Sequence, residues 1–139
     1  MSLEAKILND YRVVAVVGAS PTPERPSYRV ASYLAEHGYH IIPVNSTVPE
    51  LLGKTTYPDL ISIPEKVEIV DIFRKSEHVM PIVEDVIRIG AKVVWMQEGV
   101  INEEAASKAR EAGLLVVMDK CMRKEHERII GSKQKSGGD

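Results

Sequence analysis

A single cysteine, Cys121, among 139 residues leaves no internal disulfide and no multi-cysteine metal site. That usage fits a reducing compartment, and a cytoplasmic location is expected. An excess of one charge is also missing: 18 Lys and Arg stand against 20 Asp and Glu, for a net charge of −2. The chain therefore has no electrostatic footprint for nucleic acid. No apolar run approaches the roughly 20 residues of a membrane span, and residues 1–10 are polar and amphipathic rather than signal-like. The four histidines, His37, His40, His78 and His126, lack metal-ligand spacing. Two nucleotide signatures are absent as well. The dinucleotide fingerprint wants glycines where this chain has Gly18, Ser20 and Pro23, and an acidic residue where strand two ends in Val44-Asn45. No Gly-Lys-Ser/Thr follows Gly18, so there is no P-loop.

What is present is an α/β alternation built around one stretch. Residues 13–17 form an unbroken apolar run of β-rich residues, the pattern of a strand buried on both faces. Gly18 ends the run where the chain must turn, and Ser20 and Ser27 are candidate N-caps for the helix that follows. Such a turn presents backbone N–H groups and the positive end of a helix dipole to one point, which suits a phosphate. Strands are expected at 12–17, 40–44, 67–72, 92–96 and 114–118. Helices are expected at 3–9, 27–38, 76–89, 102–112 and from 119 to about 130, with Ser76, Asn102 and Asp119 as caps. Pro43 belongs near the end of its strand or at a sheet edge. The alternation predicts a doubly wound parallel sheet of five strands, order 3-2-1-4-5, with helices on both faces. One domain over 1–131 and a flexible tail over 132–139 are expected. A ligand in such a sheet binds beyond the carboxyl ends of the strands, here expected between strands one and four.

Near that crevice fall Arg25, Arg29, Lys54, Arg74 and Lys75, a spread of positive charge suited to several phosphates including a terminal monoester. For any single one a solvated surface charge is the favoured reading; Arg74, directly after a strand, and Lys54, in a loop over the site, are the preferred exceptions. Cys121 has two readings, a thiol activated at a helix start beside an incoming thiol, or a small buried apolar residue. Trp95 and Met96, on a buried strand, read as core.

Five segments in order, Gly18-Ala19-Ser20-Pro21, Pro43-Val44-Asn45, Val70-Asp71-Ile72-Phe73-Arg74, 90–100 and Met118-Asp119-Lys120-Cys121, resemble the small stand-alone CoA-binding proteins. These are similar to the CoA-binding domain of the succinyl-CoA synthetase α subunit, and the likeness covers about 11–130. The resemblance implies a Rossmann-like fold with coenzyme A as ligand. It places the pyrophosphate on the loop of Gly18, Ala19, Ser20 and Pro21, with Ser20 adding a hydroxyl. It puts the adenosine against Val44 and Asn45 with Lys54 near its phosphate, and Phe73 and Arg74 beside the nucleotide. Val79 and Ile82 form an apolar wall, and Gln97 and Gly99 line the pantetheine path. Binding of CoA or acyl-CoA without a complete active site is implied. The alternatives are a subunit of a thioester-forming enzyme completed by a partner chain, or a module for another phosphorylated nucleotide such as FMN or NADP. A homodimer is compatible with the sequence, which fixes no interface.

Overall fold

The computed structural model describes residues 1–137, and of 132–137 the backbone alone. In chain order it contains α1 (Leu3–Asp10), β1 (Val13–Val17), α2 (Pro26–Glu36), β2 (His40–Val44), β3 (Glu50–Leu51) and β4 (Lys54–Thr55). There follow β5 (Ile69–Ile72), a 3-10 turn (Ser76–His78), α3 (Val79–Ile89), β6 (Val93–Met96), α4 (Glu103–Glu111), β7 (Leu115–Val117) and α5 (Met122–Gly137). The last helix runs past its expected end near Ile130. Of the expected tail, Gly138 and Asp139 lie outside the described residues. No helix among the described residues is long and apolar enough to cross a membrane.

The architecture is the expected Rossmann-like parallel sheet of five strands, and its order is β2-β1-β5-β6-β7. The third long strand thus lies beside the first, with Val14 paired to Ile69, and not outside the second as 3-2-1-4-5 has it. Pro43 explains the difference. Its carbonyl accepts from Tyr57 N at 3.1 Å on the outer side of β2, and its missing N–H faces that same side. Tyr57 O in turn accepts from Asn45 N at 2.9 Å, so the chain leaving β2 covers that edge itself. The strand-order reversal then falls between β1 and β5, which is where a crevice opens in this topology.

Alternation along the strands builds two cores. Val14, Val16, Ile41, Ile69, Val93 and Trp95 face α1, α2 and α5, where Ile7, Leu34 and Met122 meet them. Ala15, Val17, Ile42, Val70, Ile72 and Val94 face α3 and α4, packing on Val83, Val86, Ala105 and Ala109. Each fully buried Val, Ile or Leu contributes about 1.5–3 kcal/mol. Leu8 O at the end of α1 accepts from Arg12 Nη1 and Tyr39 Oη, both at 2.6 Å, so that helix is pinned where it packs.

Gly18 adopts φ +88, and a Cβ built there would lie 2.2 Å from the Phe73 carbonyl oxygen. Gly113 has φ +87 with nothing within 4 Å of such a Cβ. Both positions disfavour an L side chain, but only the first adds a backbone collision. Gly18→Ala should therefore lose about 3 kcal/mol or more of stability, and Gly113→Ala about 1 kcal/mol, in urea unfolding. Equal losses would show that the close approach is not rigid.

Candidate functional site

At the carboxyl end of β1 the chain reverses at Gly18 and runs over the top of β5. The Ala19 carbonyl accepts from Asn45 Nδ2 at 2.8 Å. Asn45 Oδ1 meanwhile takes hydrogen bonds from Thr47 N at 2.6 Å, Thr47 Oγ1 at 2.7 Å and Val48 N at 3.2 Å. Asn45 is thus a strut between the loops after β1 and β2. Ser20 Oγ accepts from Thr22 N at 3.1 Å and does not cap the helix. Nor does Ser27: α2 begins at Pro26 behind Arg25, and no side chain hydrogen-bonds its first turn. Pro suits that first position, where its missing N–H would have no partner. The start of α2 is consequently open toward Gly18.

The loops after β5, β6 and β7 are stitched together by side-chain to main-chain bonds. Ser76 Oγ accepts from Ile101 N at 2.9 Å instead of capping a helix. Asp119, with φ +60, accepts from Gly99 N at 2.7 Å, so it too is drawn away from the capping role expected of it. The buried Gln97 supplies what Asp119 does not: its Oε1 accepts from Met122 N at 3.0 Å in the first turn of α5. Asn102 caps α4 as expected, accepting from Ala105 N at 2.9 Å. Trp95 belongs to the core, and its Nε1 donates to Lys120 O at 2.8 Å.

Two contiguous cavities of about 420 Å³ each follow these loops. The first is lined by Gly18, Ala19, Ser20, Thr22 and Ser27, together with Arg25 and Arg74. The second shares Pro26, Phe73 and Arg74 with the first, then continues along Val30, Val100 and Cys121, with Lys75, Gln97 and Glu98. The wall thus passes from main-chain groups, hydroxyls and guanidinium to largely apolar surface. Of the expected site residues, Gly18, Ala19, Ser20, Arg25, Phe73, Arg74 and Gln97 line this crevice. Pro21, Val44, Asn45, Lys54, Val79, Ile82 and Gly99 do not. Val44 and Val79 are buried in the core, Ile82 packs against it, and Lys54 sits on the small β3–β4 ribbon. Pro26, Ser27 and Val30, all from the start of α2, were not expected; the signal for them was the helix that must follow a glycine turn. Cys121 is buried yet lines the crevice, so both its readings meet at one position. No group of three or more metal-ligating side chains occurs among the described residues.

Fold and crevice together define a Rossmann-like domain with its cleft at a strand switch point. Comparison is more specific: the profile of the family described as CoA binding domain matches residues 12–127, and the chain belongs to that family. It is 39% identical over 121 residues to the uncharacterized protein YneT of Bacillus subtilis, covering 87% of this chain and 90% of that protein. A solved structure described as a hypothetical protein from Pyrococcus horikoshii OT3 superposes with a TM-score of 0.89 at 49% identity. That match covers 91% of this chain and 89% of the other. Acetate–CoA ligase (ADP-forming) I subunit alpha of Pyrococcus furiosus is 35% identical over 100 residues. The match takes in 68% of this chain but only 21% of the ligase subunit.

One side chain near the crevice breaks the pattern of its strand. Asp71 is fully buried, and neither of its oxygens has a hydrogen-bond partner among the described residues. It lies in register between Val16 and Trp95, on the sheet face covered by α2 and α5. Burial pushes its carboxyl well above the usual carboxylate range, so the folded chain holds this proton to higher pH than the unfolded chain does. The unfolded chain releases that proton above about pH 4, so this position becomes progressively unfavourable to folding as pH rises from 4 toward neutral. Asp71→Asn cannot ionise in either state. Thermal melts at pH 4 and pH 7 should show the Tm difference moving in the variant's favour by about 4 °C or more. A difference that stays constant with pH would mean that Asp71 is ionised in the fold.

Proposed function

We propose that this protein binds coenzyme A or an acyl-CoA across the carboxyl ends of the strands, at the switch between β1 and β5. The observation that carries this reading is the change of wall chemistry along one continuous crevice. Beside Gly18 the wall offers amides, hydroxyls and two guanidinium groups, and toward Cys121 it becomes apolar. CoA has the same order of parts, a diphosphate followed by a long, weakly polar pantetheine arm. The family membership supports the assignment.

In this reading the diphosphate accepts from the main chain of Gly18, Ala19 and Ser20 and from the open start of α2, where the helix dipole favours negative charge. Pro21 shapes the loop, and Arg25 and Arg74 supply cations able to grip phosphate through two N–H groups. The pantetheine arm lies along Val30, Phe73 and Val100, over Gln97 and past Gly99. Val79 and Ile82 back that wall from the core side, where they pack in one cluster with Val100. The adenosine extends toward the end of β2, above Val44 and beside Asn45, with Lys54 for the terminal phosphomonoester. The relationship to a ligase subunit favours a second reading, in which the domain presents CoA to a partner chain that performs acyl transfer.

Isothermal titration separates these ligands from others of similar size. CoA should bind at least tenfold more tightly than FMN or NADP, and Arg74→Gln should weaken CoA about tenfold through one lost charge-assisted bond. Lys54→Gln should weaken CoA while leaving dephospho-CoA unchanged. Tighter binding of FMN or NADP than of CoA overturns the assignment.

A further inference from the structure

Beyond the crevice lies a third cavity, of about 430 Å³, which shares Pro26, Val30, Glu98 and Cys121 with the apolar one. At that shared wall the chemistry changes again. Arg29 from α2 and Arg123 and Lys124 from α5 line the new cavity, together with Glu98 and Glu127. Both carboxylates are already engaged. Lys124 Nζ lies 2.9 and 3.1 Å from the two Glu98 oxygens, and Arg123 Nε lies 3.5 Å from Glu127 Oε1. The half-buried Arg123 guanidinium also sits 5.2 Å from the Tyr33 ring centroid, which orients its plane. The Arg29 guanidinium has no hydrogen bond or ion pair among the described residues. Two helices therefore bring guanidinium groups to one cavity with charge to spare.

We propose, resting on the CoA reading above, that this third cavity receives the acyl group of a bound thioester and favours acyl groups that end in a carboxylate. A pantetheine arm following the apolar walls brings its sulfur toward Cys121, the residue common to both cavities. Whatever is joined to that sulfur then passes into the space between Arg29 and Arg123. Guanidinium forks match the two oxygens of a carboxylate, whereas a plain alkyl chain gains nothing from them and leaves charged groups partly desolvated. Because Arg29 is exposed, the gain is modest and screened by salt.

Two stable thioethers of CoA of matched length, 3-carboxypropyl and butyl, isolate the carboxylate. At low salt the carboxypropyl compound should bind about three- to tenfold more tightly than the butyl one. In the Arg29→Gln, Arg123→Gln double variant the ratio of the two thioether affinities should fall to about one, whatever its affinity for CoA itself. Equal affinities in the unmodified protein, or a gap that survives in the double variant, overturn the inference. So does a double variant that loses its discrimination between CoA and dephospho-CoA, since the arginines would then hold the terminal phosphate. Failure of CoA itself to bind removes both readings; CoA binding with matched thioether affinities removes this one alone.

Discussion

The crevice depends on a backbone-to-backbone approach at the ends of β1 and β5. Phe73 N donates to Val17 O at 2.9 Å, and the next residue along β1, Gly18, passes so near that a Cβ would lie 2.2 Å from Phe73 O. With no side chain at 18, the chain turns out of the sheet at once and delivers α2 above the strand switch. Phe73 and Arg74, fixed by the same contact, become a wall shared by both parts of the crevice. The crevice is thus set by main-chain geometry, and side chains decorate it.

Around that contact the loops are held by bonds reaching far along the chain: Asn45 to the Ala19 carbonyl, Ser76 to Ile101, Asp119 to Gly99, Gln97 to Met122. Each ties a loop to a distant part of the chain, and a loop fixed beforehand loses less entropy on binding. The same bonds decide which helix starts stay available. Ser2, Asn102 and Gln97 occupy those of α1, α4 and α5. Those of α2 and α3 have no side-chain cap, and the α2 start opens on the crevice. Pro26 has no N–H and Tyr28 N already donates to Arg25 O at 3.1 Å, so it is the Ser27 amide that keeps its capacity to meet an anion.

The sequence carries the strands and the glycine turn plainly, because unbroken Val and Ile runs ending in Gly18 have few other foldings. The strand order was less legible. Pro43 already argued for an edge strand, but the ribbon that covers this edge consists of two strands of two residues each, too short to produce a pattern. Ser76 and Asp119 are good capping residues by type. Their side chains are instead captured by amides 25 and 20 residues away, which spacing alone does not reveal. Gln97 is the converse case, a helix cap supplied from a strand end. Arg25 and Arg74 were legible from their places beside the turn and the strand end. Lys54 was placed over the site on the expectation of a loop there, and the ribbon holds it apart from the crevice walls.

Asp71 shows how the interior and the crevice are linked. A carboxyl with no partner between Val16 and Trp95 opposes folding, so stability does not account for its presence. It stands two residues before Phe73, on the strand whose end forms the crevice wall, and departures from the local pattern concentrate at such places. Burial without a partner disfavours the charged form and pushes the carboxyl well above the usual carboxylate range. The same desolvation makes the residue costly to fold wherever the unfolded chain is free to ionise it.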